Sequence, residues 1–310
     1  MTVRSAALAS LLAMASLAGC GLGPGKERAG GAELRVTRDF GNELLKADRV
    51  EKVREDQTVM RLLRAGGNDV KVRYGGRFVQ AIDGIEGGGA DGFADWFYYV
   101  NGLEPEVGAA EYVLSPGDVV QWDYRNWHSS MDIRAIVGAF PEPFVSGVGG
   151  KRIPARVECE EVGSDACRTV KKVLRDRGVP ATGSTLGASG SQSVIRVVVA
   201  RWQRARELLR ARRLEQGPRK SGVFARFTRE GRSLELLDER GRAVRTGGGG
   251  YGLVAALRPA DKELLWLVTG VDQAGVERAV GALNRRSLRD AFAVAVGPRG
   301  PQKLPIGGTR

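Results

Sequence analysis

Between Phe93 and Trp127 lie nine of the chain's twenty aromatic residues: Phe93, Trp96, Phe97, Tyr98, Tyr99, Tyr112, Trp122, Tyr124 and Trp127. Rings gathered this densely can floor a site for a planar ligand, a glycan or a partner strand. They can equally fill a core and dock a second domain. Strand alternation divides them, with Trp96, Tyr98 and Val100 on one face and Phe97 with Tyr99 on the other. Val120, Trp122 and Tyr124 share a face in the same way. A small sheet packs only one face on its helix, so one set must be exposed or covered by something else. The candidate ligand-binding residues are therefore Trp96, Tyr98, Tyr99, Asn101, Trp122, Tyr124, Trp127 and His128.

Other chemistry is thinly represented. His128 is the only histidine, which excludes a multi-histidine metal site, and no G-x-S-x-G elbow accompanies it. The glycine runs at 147–150 and 247–250 lack phosphate-loop spacing and read as a linker and a flexible hairpin loop. Asp83, Glu86, Asp91 and Asp95 surround three glycines and form either a solvated loop or a hard-cation site outside the EF-hand pattern. In the run Arg201–Arg213, Trp202, Ala205, Leu208 and Leu209 make an apolar stripe at helical spacing, and arginines fill the rest. That run reads as a helix with a solvated cationic face, or one touching anionic lipid or a cell-wall polymer. No catalytic residue and no metal site is nominated, and the expectation is a protein that is not an enzyme and needs no cofactor.

The amino terminus speaks to location. A positive start and an apolar run from Ala6 to Ala18 have the form of an export signal, and no later stretch is apolar for long enough to span a bilayer. The run ends in Leu17-Ala18-Gly19-Cys20, which resembles the processing box of bacterial lipoproteins. That resemblance implies Cys20 as the lipidated first residue of the mature chain, followed by a glycine-rich tether over 21–32. Of three cysteines, Cys159 and Cys167 then remain, an even pair in an oxidising compartment. They are expected to form a disulfide worth roughly 2–3 kcal/mol. A two-cysteine metal site lacks further ligands nearby. The net charge of +12 and pI near 10.0 point less to nucleic acid, which an exported protein seldom meets, than to an anionic membrane surface.

Two prolines and three glycines over 141–150 suggest a linker between a first domain (33–140) and an Arg-rich second domain (151–298), with a tail over 299–310. In the first, two strands, one helix capped at Thr58 and stopped at Gly66, and several more strands fit a β-grasp order. In the second, strand and helix patterns alternate. The expected fold class is α+β: a small β-grasp domain followed by an α/β domain with a mixed sheet.

A tryptophan-aromatic strand ending in Asn-Gly, then Tyr-x-Leu, then Gly-Asp-x-x-x-Trp-x-Tyr stands here as Trp96–Gly102, Tyr112–Leu114 and Gly117–Tyr124. This order resembles the transcobalamin-like C-terminal domain, a β-grasp module of bacterial surface proteins and lipoproteins, over residues 33–128. In transcobalamin and intrinsic factor the corresponding domain covers one face of bound cobalamin. The resemblance implies a ligand- or partner-facing surface, for which cobalamin or a related corrinoid is a candidate ligand. His128, just past the last aromatic strand, reads either as a surface residue or as an axial ligand to a corrin metal. The expected function is an extracytoplasmic, membrane-anchored lipoprotein. It would bind a small ligand without catalysis in support of uptake, with a transporter or surface protein as partner. The alternative is a structural or partner-binding envelope protein.

Overall fold

The computed structural model describes residues 27–188, 194–258 and 263–307. The signal segment and Cys20 lie outside them. Strands β1 (Glu27–Arg38) and β2 (Glu43–Arg54) form a long antiparallel hairpin. Its outer end pairs Glu27 with Arg54 and Ala32 with Val50, so the expected tether is strand from Glu27 onward. Glycine here serves close approach rather than looseness, because a Cβ on Gly31 would stand 2.1 Å from the Val50 carbonyl oxygen.

Helix α1 (Val59–Ala65) starts where Thr58 accepts the Arg61 N–H at 3.2 Å, and Gly66 closes it, as the capping pattern predicts. Strands β3 (Val70–Arg73), β4 (Phe78–Ile82) and β5 (Ile85–Glu86) make a small meander. Strands β6 (Ala94–Val100) and β7 (Val119–Asn126) pair antiparallel and complete a sheet of order β2-β1-β7-β6, in which β1 and β7 run parallel. Leu62 and Leu63 of α1 bury against Leu34, Val36, Val120 and Trp122 on one face of that sheet.

The rest of the chain builds a larger sheet. Its elements are β8 (Ala155–Cys159), α2 (Asp165–Arg175), β9 (Ala181–Thr185) and β10 (Ile195–Arg201). Three short helices follow, α3 (Trp202–Ala205), α4 (Leu209–Arg212) and α5 (Pro218–Ser221). Then come the short strands β11 (Ala225–Phe227), β12 (Leu234–Leu237) and β13 (Ala243–Gly247). Strands β14 (Gly252–Leu257) and β15 (Leu265–Gly270), helices α6 (Gln273–Gly281) and α7 (Arg285–Leu288), and strands β16 (Ala293–Gly297) and β17 (Gly300–Leu304) complete it. The strand order is β17-β16-β14-β15-β10-β8-β9, parallel from β15 to β9 and antiparallel from β17 to β15. Alternating residues serve two cores: Val197, Val199 and Val268 meet α2 and α6, while Val198, Ala200 and Leu267 meet Trp202 and the β11–β12 region. The Cys159–Cys167 disulfide ties the end of β8 to α2.

Several expectations are corrected. The α+β class, with a β-grasp domain followed by an α/β domain, gives way to a β-rich fold: 40% of the described residues lie in strands of several sheets and 18% in helices. One reason is the run Arg201–Arg213, whose helix breaks where Leu208 turns extended (φ −76°, ψ 118°) and leaves two single turns. Separately, the segment 141–150 is packed over its first half rather than exposed throughout. Phe140 and Phe144 pack on Trp266 with ring centroids 5.9 and 5.0 Å away, and Pro141, Glu142 and Pro143 are buried. The expected tail supplies β17, and the expected flexible loop at 247–250 is close-packed at its start, where a Cβ on Gly247 would stand 2.3 Å from the Tyr251 ring.

Candidate functional site

The eight sequence-predicted site residues do not form one platform. Trp96, Tyr98 and Trp122 turn inward toward α1, as alternation requires. Trp96 and Trp122 are buried, and Tyr98 stacks on Trp122 at 5.1 Å. The Trp96 indole N–H donates to Ile85 O at 2.8 Å and the Tyr124 hydroxyl to Glu86 O at 2.9 Å, so both rings clamp the β5 meander onto the sheet. Asn101 is a turn residue. With Gly102 it occupies positive φ (55° and 76°), and its amide joins Asp118 (2.8 Å) to Gly147 O (3.0 Å).

The opposite face of the sheet is also closed, by the second half of the chain. Tyr99 is fully buried and meets Phe292 edge-on at 5.4 Å. The Arg125 guanidinium lies 3.7 Å from the Phe97 ring centroid and donates to Ser130 O and Met131 O, each at 2.8 Å. Asp123 accepts from Thr37 Oγ1 (2.6 Å), Phe40 N (3.0 Å) and Gly41 N (2.8 Å), yet its complete burial pushes its carboxyl up to about 7. Arg35 reaches across to Asp290 at 2.7 Å, and Gln121 donates to Asp290 O at 3.0 Å. Burial pulls the Arg35 guanidinium down, with Asp290 opposing.

Phe97, Tyr98, Tyr112 and Tyr124 are part-buried, and the end of the aromatic set beyond β7 reaches solvent most openly at His128. Phe93 contacts Trp127 and His128 edge-on at 4.9 and 4.8 Å, and His128 is exposed. Trp127 is held by a 2.9 Å bond from its indole N–H to Asp95 and is the one tryptophan of five that is not buried. The neighbouring carboxylates are separately engaged: Glu86 with Lys71 (2.9 Å), Asp91 with Phe93 N (3.1 Å) and Asn126 (3.0 Å), and Asp83 with Asp69 N (2.7 Å). Among the described residues no three or more His, Cys, Asp or Glu side chains gather for a metal.

What the junction does provide is a cleft of 360 Å³ that no single stretch of sequence announces. Val119, Ala139 and Phe140 give its apolar part, and Arg35, Arg286 and Arg289 its positive charge, with the Glu33 carboxylate also at the wall. Arg285 lies beside them and shares Glu33 with Arg49 at 3.7 Å, whereas Arg286 and Arg289 have no ion-pair partner among the described residues. The cluster Arg285-Arg286-Ser-Leu-Arg289 is visible in the sequence, but its approach to Arg35 appears only once the chain is folded. The basic run behaves oppositely: Arg201, Arg204, Arg206 and Arg210 pair with Glu160, Glu207, Glu215 and Glu263.

Against known proteins, a family model described as a domain of unknown function (DUF4430) matches residues 56–126. That stretch holds α1, β6 and β7. No curated protein matches the chain. A solved structure from Ruminococcus gnavus, provisionally described as metal-binding, is 14% identical over 31% of this chain and 97% of its own, with a TM-score of 0.25. Haptocorrin in complex with Cbi is 18% identical over 32% of this chain and 26% of its own, also with a TM-score of 0.25. The chain thus spans about a quarter of haptocorrin. The family match is compatible with a transcobalamin-like fold over residues 56–126, and it fixes neither ligand nor chemistry.

Proposed function

We propose that this chain is an extracytoplasmic lipoprotein, anchored at Cys20, that binds a small ligand without transforming it, in support of uptake. The observation that carries the binding reading is the 360 Å³ cleft at the junction of the two sheets. Its volume lies within the ~300–1,000 Å³ of small-molecule sites, and such sites favour junctions between packed units. An apolar floor at Phe140 beside the free guanidiniums of Arg286 and Arg289 suits a ligand with a compact apolar body and a carboxylate. The buried Cys159–Cys167 bridge supports an oxidising compartment. Calorimetric titration of the chain with carboxylates of rising apolar size, from acetate to naphthoate, tests the cleft. Saturable binding weakened about tenfold by Arg289→Ala supports it. A flat response across the series sinks it and leaves the structural or partner-binding role.

A corrinoid reading rests on a different observation, the exposed tip of Phe93, Trp127 and His128. Four of the five tryptophans are buried, so a planar chromophore seated there would quench Trp127. Absorbance-corrected fluorescence titrated with cobalamin should then saturate, and Trp127→Phe should abolish the change. A quench that survives Trp127→Phe removes the tip as the site. A transporter or surface protein would be the partner that receives either ligand.

A further inference from the structure

The net charge of +12 is not spread evenly. Where arginines are densest, over Arg201–Arg210, glutamates neutralise them. The uncompensated charge collects instead in a cavity of 190 Å³ on another side of the same region. Arg134, Arg213, Arg219, Lys220 and Arg258 line it, against a single carboxylate, Asp132. Asp132 offers little relief, since it stands 3.9 Å from Arg134 and both side chains are largely in water. Arg213, Arg219 and Lys220 have no ion-pair partner among the described residues, and Arg258 spends one N–H on Glu104 O at 3.2 Å.

Three distant segments deliver these charges, and each is held in place. Arg134 sits on the strap after β7, whose Ile133 is fully buried. Arg219 and Lys220 belong to α5, which is tied to that strap by the Ser130 hydroxyl donating to Pro218 O at 2.8 Å. Gly222, at φ 72°, turns the chain back so closely over this strap that an added Cβ would stand 3.2 Å from the Ile133 Cα. Arg258 leaves the end of β14, where Leu257 is buried. Five cations held together in a concavity repel one another in the empty state. That cost is relieved by an anion of high charge density, and a concave wall focuses the field that draws it in. The volume is too small for a whole drug-sized ligand, which needs about 300 Å³ or more, and suits one compact headgroup.

We infer that this cavity binds a phosphoryl group, either free in solution or as the headgroup of an anionic phospholipid. Guanidiniums present paired N–H donors to such oxygens and Lys220 adds a point charge, while the Ser221 hydroxyl at the same wall is spent on Gly217 O at 2.8 Å. The inference is independent of the junction cleft and of the corrinoid reading.

The test uses residues 21–310, which retain every described element and all three cores. Inorganic phosphate and pyrophosphate are titrated calorimetrically at low salt. Separately, the protein is floated with vesicles of pure phosphatidylcholine or of phosphatidylcholine with phosphatidylglycerol. The comparison variants are Arg219→Ala with Lys220→Ala, both exposed and on no core, and Arg168→Gln on remote α2 as a control that also lowers the net charge. The expected result is saturable binding of phosphate, pyrophosphate or phosphatidylglycerol vesicles that falls at least tenfold in the double variant, declines with added salt and survives Arg168→Gln. Binding in the soluble arm alone assigns a soluble phosphoryl ligand, and binding in the vesicle arm alone assigns the lipid headgroup. Absence of binding in both arms, or equal loss in Arg168→Gln, overturns the inference, as does binding that ignores the double variant. Unchanged thermal unfolding of the double variant separates lost binding from lost structure.

Discussion

The two faces of the sheet β2-β1-β7-β6 come from the same strands, and both are shut from water by opposite means. Toward α1 the sheet presents Leu34, Val36, Trp96 and Trp122, an apolar core held chiefly by burial. Toward the second half it presents Arg35, Thr37, Gln121, Asp123 and Arg125, each buried and each with a hydrogen-bond partner. The first face is forgiving of partner geometry and sensitive to volume. The second is sensitive to the loss of a single atom, because every donor or acceptor removed leaves its partner stranded in a dry place. Aromatic residues mark the first face and part of the second, so their density alone did not separate core from seam.

The contrast can be broken most forcefully at Trp122. Trp122→Ala should cost about 3–5 kcal/mol in denaturant unfolding through the cavity it leaves. A loss under about 1 kcal/mol would mean that this face is not the core. Next comes the seam. Arg35→Ala should cost about 3 kcal/mol by leaving Asp290 buried and unpaired. Arg35→Met combined with Asp290→Asn should recover most of that, since Asn tolerates the positive φ of 64° at position 290. Equal losses in the single and double variants would contradict a charge-specific seam.

A third effect is the seam's response to pH. Burial raises both Asp123 and Glu104 to about 7, above the ordinary carboxylate range. The folded state then holds these protons more tightly than the unfolded chain does. Their contribution is fully present below pH ~4 and is lost as pH rises through 7, by about 1.4 kcal/mol per group for each pH unit between the unfolded and folded values. Unfolding midpoints compared at pH 5 and pH 8 should show this decline, and Asp123→Asn should flatten it. A rise in stability across that range in which Asp123→Asn changes nothing would count against the assignment. The smallest effect lies at the solvent tip: Trp127→Phe should shift stability by less than about 0.5 kcal/mol while removing the acrylamide-accessible emission. Residual accessible emission would place a second tryptophan at the surface.

Much of this was legible wherever one local rule sufficed. Thr58 caps and Gly66 stops α1, the alternation of Trp96 through Val100 fixes which ring lies on which side, and two cysteines of matching context are bonded. What escaped depends on what arrives from far along the chain. Tyr99 reads as an open platform residue until Phe292 covers it. Pro141 and Pro143 carry linker composition but sit in a segment that Phe140 and Phe144 anchor to Trp266. Gly31 and Gly247 look flexible in a list of residues, yet each is small because a carbonyl or a ring lies where a side chain would be. The same blindness hid the charge pattern: consecutive arginines suggested a cationic face, but their glutamate partners lie on other elements, apart from Glu207.

The early start of β1 has a mechanical consequence. Residues 21–26 are all that separate Cys20 from the first paired strand, and six links reach about 20 Å when fully drawn out. A lipid at Cys20 would therefore moor the body rather than let it roam, with the outer end of the β1–β2 hairpin riding little more than a headgroup layer above the bilayer. Such a short mooring limits tilt, makes encounters with neighbours a matter of lateral drift, and leaves whatever the body carries within immediate reach of proteins embedded beside it.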